Sequence, residues 1–177
     1  MYYANPLINE NDLRLLEIWA HNGGRFDQHL ILKGFHRLGI YPKSVDKGNT
    51  LIRVEVKMRD RRIIFKDSFC AIPMALSAFP TAFGLDCDEK GTFPHFANMR
   101  KYWFRKWESI PDKKYFGYKF MKPDQQRKFD EWYETQIGKE WNQPEELKRY
   151  CEKDVEICMK GCLQYRKTMM EVTGWCP

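Results

Sequence analysis

The sequence predicts an α/β fold, and three observations carry that prediction. An apolar run, Leu15 to Ala20, ends in a polar, glycine-containing turn, His21 to Asp27, and a second apolar run at helical spacing follows it. Leu51 to Met58 alternates apolar and charged residues, and Arg62 to Lys66 returns after a polar turn, which is a hairpin pattern. Two longer segments, from Pro123 and from Gln143, repeat apolar residues every three to four positions, as helices do.

Composition bounds the rest. The chain has 177 residues, enough for one domain with a sizeable core. A hydrophobic content of 43% and an aromatic content of 15% argue against disorder. The formal net charge of +6 permits a polyanionic partner without demanding one. The six cysteines form no Cys-x-x-Cys pair and have no matching histidine cluster, so zinc is not expected. With no secretory signal before the fold, reduced thiols and an intracellular setting are the simpler expectation. No apolar run approaches membrane-spanning length, so no membrane partner is expected.

Taken in order, Met1 to Pro6 reads as loop, and Asn9 to Trp19 carries a partly helical pattern into the apolar run. The run reads as a buried strand. The turn after it lies where α/β proteins place ligand-contacting groups, at a strand's carboxyl end. Asp27 then opens a helix, where a carboxylate suits the helix dipole. For this stretch alone, the plainer alternative of a strand, a turn and a helix capped by Asp27 is the better one. The helix ends near Leu38, with Gly39 as its C-terminal glycine and Tyr41-Pro42 preventing continuation. After the hairpin, Ile72 to Phe79 reads as a short helix with Pro73 in its first turn.

Met99 to Trp107 interleaves Arg100, Lys101, Arg105 and Lys106 with Tyr102, Trp103, Phe104 and Trp107. That mixture suits a nucleic-acid surface, but an irregular loop anchored by its own rings is the favoured reading. Pro111 to Lys122 reads as loop or extended chain. The helix from Pro123 carries Phe129, Trp132, Tyr133 and Ile137 as its stripe. The last helix carries Leu147, Tyr150, Cys151, Val155, Cys158, Cys162 and Leu163, with the three cysteines as small buried residues on one face. Tyr150 and Asp154 lie one turn apart in that helix, so Asp154 is expected to be partly buried and to need a partner. A buried tyrosine beside a solvated aspartate is the commoner meaning of such spacing. The ending Gly174-Trp175-Cys176-Pro177 suggests a piece of something longer.

Asn-x-x-x-Phe-Asp at 22–27 combined with Tyr-x-x-x-Asp at 150–154 resembles two of the three motifs of RNase H-like 3′–5′ exonucleases. Lys66-Asp67-Ser68, Lys90 to Phe96 and Ile110-Pro111-Asp112 fall between them in the order that family shows. Together the five are similar to the exonuclease domain of protein-primed family B DNA polymerases, of the Maverick/Polinton, linear-plasmid and viral type. The similarity runs from about Leu15 to Pro177.

The resemblance implies an RNase H-like fold, a central mixed sheet with flanking helices. It implies that residues 1–177 are a partial exonuclease domain, truncated at both ends and without the polymerase palm, fingers and thumb. By position, Asp27 and Asp154 match carboxylates that hold a pair of divalent metals, Mg²⁺ or Mn²⁺, for two-metal phosphodiester hydrolysis. Tyr150 matches a residue that orients the attacking water, and Lys90 one that stabilises the scissile phosphate. Asn22, Phe26, Ser68 and Phe69 match contacts to a single-stranded DNA 3′ end, and His95 stands near a DNA-contacting position. Nucleotides and a terminal-protein primer would be partners of the parent polymerase.

One departure matters. The family's first motif, Asp-x-Glu on the first central strand, is absent. Glu10, Asp12 and Glu17 are the acidic residues ahead of Asn22, and none stands in that arrangement. The sheet is therefore expected to lack its first strand or strands and to leave an exposed edge. The chain alone is expected to be inactive or nearly so. The alternatives are a non-catalytic single-strand-binding module and an inactive mobile-element remnant.

Overall fold

The computed structural model describes residues 14–86 and 92–174. Lys90, Glu10, Asp12, Cys87 and Cys176 lie outside the described residues, as do the expected N-terminal loop and the C-terminal Trp175. The chain forms two compact units. One takes the residues up to Phe83 together with those from Lys160 onward, and the other is Gly84–Met159.

The first unit is built on a four-stranded mixed sheet in the order β1-β4-β3-β2. β1 (Arg14–Ala20) runs parallel to β4 (Arg61–Asp67), with Ile18 opposite Phe65 and Ala20 opposite Asp67. β4 pairs antiparallel with β3 (Thr50–Met58), and β3 with β2 (Lys43–Lys47). The β3–β4 hairpin turns at Arg59-Asp60, where Arg59 takes a left-handed φ of 53°. Helix α1 (Asp27–Arg37) is the crossover between β1 and the rest of the sheet, and its Phe35 ring meets Phe65 at 6.1 Å. Leu38 caps α1 and Gly39 follows at φ 71°, the left-handed step that ends many helices.

Alternation decides the faces. Val54, Val56 and Ile64 are buried. The face bearing Ile64 also carries charge: Glu55 accepts from Arg62 Nε at 2.6 Å and from Arg53, and Lys66 pairs with Glu17 at 2.7 Å. The arginine hydrogen bonds hold the Glu55 carboxyl down to about 2, against a smaller opposing effect of burial.

Several expected elements differ. The run at 15–20 is a strand, but it is not buried: Leu15, Leu16 and Ile18 are 56%, 40% and 39% exposed. β1 is an edge strand, so one side of it carries no sheet neighbour among the described residues. β2 was not legible as a strand, because its polar residues gain strand geometry only by pairing with β3. No helix forms at Ile72. A 3-10 turn at Leu76–Ala78 leads into α2 (Phe79–Phe83), with Pro80 rather than Pro73 in the first turn, where a missing N–H costs nothing.

The second unit has an aromatic core of Phe93, Ile110, Phe116, Phe129 and Trp141. Short 3-10 turns at 95–97, 100–102, 113–116 and 118–120 fold the irregular segment, and a two-residue ladder joins β5 (Lys106–Trp107) to β6 (Trp141–Asn142). α3 (Pro123–Glu134) packs Phe129 and Tyr133 inward, while Ile137 lies past its end and is exposed. α4 (Gln143–Thr173) runs 31 residues through both units. Its stripe is the expected one only in part, with Leu147 and Tyr150 packed against the aromatic core. Ile157 is fully buried, whereas Cys151, Val155 and Leu163 are exposed and Cys158 and Cys162 half-buried. No disulfide joins the four cysteines among the described residues.

Candidate functional site

The turn after β1 is locked from the inside. Asn22 adopts a left-handed conformation (φ 58°, ψ 21°), which asparagine tolerates better than most residues. Gly23–Arg25 make one 3-10 turn, and Phe26 at φ −133° redirects the chain into α1. The Gly24 N–H donates to Asp67 Oδ2 at 3.0 Å. A methyl group on Gly24 would lie 2.3 Å from the Leu51 carbonyl oxygen, so only glycine fits here. Asp67 also accepts the Phe69 N–H at 2.9 Å, capping the turn at Ser68–Cys70. Gln28, buried at the start of α1, donates its amide to Leu51 O at 2.8 Å and accepts the Asp67 N–H at 3.3 Å. One buried carboxylate and one buried amide thus fasten the end of β1, the start of α1 and the end of β4 together.

His21 adds a second fastening. Its Nε2 lies 2.8 Å from the Met74 carbonyl, which can only accept, so Nε2 carries the proton. Nδ1 then accepts from the Ser68 hydroxyl at 3.0 Å. The ring stands edge-on to Phe69 and Phe79, at 5.5 and 4.8 Å. Phe79 is fully buried, and its ring occupies the space a Cβ on Gly161 of α4 would need.

Outside this lock, Phe26 is 65% exposed and Asp27 is exposed beside it. Asn22 and Phe69 are half-buried, while Ser68 is fully buried with its hydroxyl engaged by His21. The first unit therefore brings Asn22, Phe26, Asp27, Ser68 and Phe69 into one neighbourhood, held by Asp67 and His21. Asp27 is the first helical residue rather than a side-chain cap, since Phe26 holds the cap position. Gly24, Gln28, Asp67 and His21 had no assigned role from sequence. The Asp-Ser pair at a strand end is a capping signal, and the paired glycines mark close backbone approach.

The second unit holds the others. Tyr150 packs against Phe93 at 5.2 Å and His95 at 5.4 Å, on the edge of the aromatic core. Asp154, one turn on, is half-buried, with Oδ1 shielded from solvent. Asp27 and Asp154 belong to different units. Among the described residues, no group of three or more His, Cys, Asp or Glu side chains could hold a metal ion. A groove of about 350 Å³ lies in the first unit between Leu15, Glu17 and Trp19 of β1 and Leu163, Tyr165 and Arg166 of α4.

The first unit is an α/β domain whose mixed sheet ends, at β1, in a turn with an exposed aromatic and an exposed carboxylate. The family described as DNA polymerase type B, organellar and viral, matches residues 12–173, and the chain belongs to it. DNA is accordingly a partner, and the family generally works with divalent metals. No curated protein and no solved structure matches the chain.

Proposed function

We propose that this chain is the 3′–5′ exonuclease, or proofreading, region of a protein-primed type B polymerase of the Maverick/Polinton, linear-plasmid and viral kind, with an RNase H-like fold. The observation that carries the reading is the turn at the end of β1. It presents Phe26 and Asp27 outward while Asp67 and His21 fasten it to Ser68 and Phe69. A single-stranded 3′ end would lie across this neighbourhood, its terminal base against the Phe26 ring and its backbone against Asn22 and the Ser68-Phe69 turn. By the resemblance, Tyr150, Asp154, His95 and Lys90 carry the roles of water orientation, metal ligation, strand contact and charge neutralisation.

Divalent metal chemistry would supply the water activation in the parent enzyme. The described residues do not fit a two-metal centre on their own, because no three candidate ligands converge. The chain alone is therefore expected to grip a 3′ end without cutting it. Nucleotides and a terminal-protein primer would belong to the parent.

A linear labelled oligonucleotide with a free 3′ hydroxyl should bind more tightly than the same sequence closed into a circle. Phe26→Ala should abolish that difference. Equal affinity for both forms in the wild-type chain would sink the reading. Mg²⁺- or Mn²⁺-dependent shortening of a 3′-labelled strand that disappears in Asp27→Ala would instead show that the chain is active by itself.

A further inference from the structure

We infer that the second unit carries its own single-stranded nucleic-acid surface, built by residues 96–122 and separate from the turn at Asp27. The charge distribution is the first argument. Residues 96–122 hold eight Lys and Arg against two acidic residues, so their formal charge equals the +6 of the whole chain, and the rest balances at 22 of each sign. Among the described residues only Lys113 of this basic set is ion-paired, to Asp130 at 2.6 Å. Arg100, Lys101, Arg105, Lys106, Lys114 and Lys119 are all exposed.

The rings are the second argument. The segment's aromatics divide into two sets. Tyr102, Trp107 and Tyr115 pack on one another, with the two tyrosine hydroxyls 3.2 Å apart, and they fix the shape of the segment. Phe104, Phe120, Phe96 and Trp103 do not serve that purpose: they are 86%, 71%, 50% and 46% exposed. Cations sit over rings of both sets, Arg105 over Trp107 at 4.1 Å and Lys119 over Phe120 at 4.8 Å. Phe96 meets Phe120 at 6.2 Å between ring centroids and its ring takes up the space a Cβ on Gly117 would need, which makes the turns at 95–97 and 113–120 one surface.

Exposed π-faces beside solvent-facing cations match unstacked bases beside phosphates. Paired bases in a duplex would offer no faces to stack on, and the segment has short 3-10 turns and the two-residue strand β5, with no α-helix to enter a major groove. An acidic protein would satisfy the charges but not require the exposed rings. The surface lies wholly within one unit and does not depend on the exonuclease reading.

The test uses the full chain and a labelled single-stranded DNA circle of about 40 nucleotides, several times a typical site of roughly 4–16 nucleotides. A circle has no 3′ end, so it does not probe the Asp27 turn. Wild type should bind with an affinity that falls steeply with salt. Phe104→Ala with Trp103→Ala should weaken binding at least about tenfold. Arg100→Glu with Arg105→Glu should flatten the salt dependence by about 0.7 in logarithmic slope for each phosphate that is no longer neutralised. Val172→Ala, at an exposed position in the first unit, should bind the circle as wild type does. All these side chains are exposed, and circular dichroism melts should confirm that the variants stay folded. The inference is overturned if wild type does not bind, or if polyglutamate displaces the circle as well as unlabelled single strand does. It is equally overturned if the aromatic double variant binds within about twofold of wild type, or if Val172→Ala weakens binding as much as the aromatic double variant does.

Discussion

Gly24 and Asp67 set the geometry of the turn. Gly24→Ala places a methyl 2.3 Å from a backbone oxygen, a clash no side-chain rotation can relieve. It should destabilise the chain by about 3 kcal/mol in urea unfolding, and a loss below about 0.5 would contradict the packing described. Asp67→Ala leaves the Gly24 and Phe69 N–H groups without their acceptor and should cost about 2–4 kcal/mol. Asp67→Asn retains one carbonyl acceptor and should cost roughly half of that. At Glu55 the relevant variable is pH. Its folded-state value of about 2 lies below the ordinary 4.5, so its contribution is complete above pH 4.5 and is lost as pH falls toward 2. At about 1.36 kcal/mol per pH unit the ceiling is near 3 kcal/mol, and solvent around the arginines, 37% and 41% exposed, reduces it to about 1–2. Glu55→Gln should therefore flatten the stability profile between pH 4.5 and 2 by about that amount and leave the rest of its shape unchanged.

At the scale of elements, β1 governs behaviour. Among the described residues it is paired on one side, and Leu15, Leu16 and Ile18 are substantially exposed. Such an edge is a template for further strand pairing. The chain should self-associate with rising concentration in sedimentation velocity, and Ile18→Lys should suppress this without lowering the melting temperature by more than about 3 °C. Identical sedimentation of variant and wild type would show that the edge is not the cause. The sequence made β1 legible as a strand through its apolar run, and the β3–β4 hairpin through strict alternation. It misassigned the exposure of β1 because a run of apolar residues looks the same whether a neighbouring strand is present or not. β2 escaped notice because Lys43 to Lys47 is polar. In α4 the spacing of apolar residues was clear, but several faces met the pattern, and packing chose the one with Ile157 and Gly161.

At the scale of the molecule, two features are distributed over the chain in different ways. Net charge is concentrated in residues 96–122 of the second unit, and Asn22, Phe26, Ser68 and Phe69, four of the candidate 3′-end contacts, lie in the first. Metal ligands are not concentrated anywhere among the described residues. A ligand that binds the folded state stabilises it in proportion to RT ln(1 + [L]/Kd), so millimolar Mg²⁺ acting on weak sites should add no more than about 0.4 kcal/mol. The melting temperature should accordingly move by less than about 2 °C between EDTA and 1 mM Mg²⁺. A rise of 5 °C or more would reveal a metal centre that the described residues do not make.

Sequence alone determined the order of the elements that carry the candidate residues: an apolar strand, a glycine turn with Asn22, Phe26 and Asp27, a hairpin ending in Asp67-Ser68, and a late helix with Tyr150 and Asp154. These are local patterns, written in neighbours one to four residues apart, and they also carried the likeness to the polymerase family that the match over 12–173 supports. Only the tertiary structure decided what holds the turn. Gly24, Gln28, Asp67 and His21 meet partners up to 53 residues away, and no periodicity encodes which buried amide will face which carboxylate. It also decided which rings in the basic segment anchor the fold and which stand in solvent, because that choice depends on what the rest of the second unit leaves uncovered.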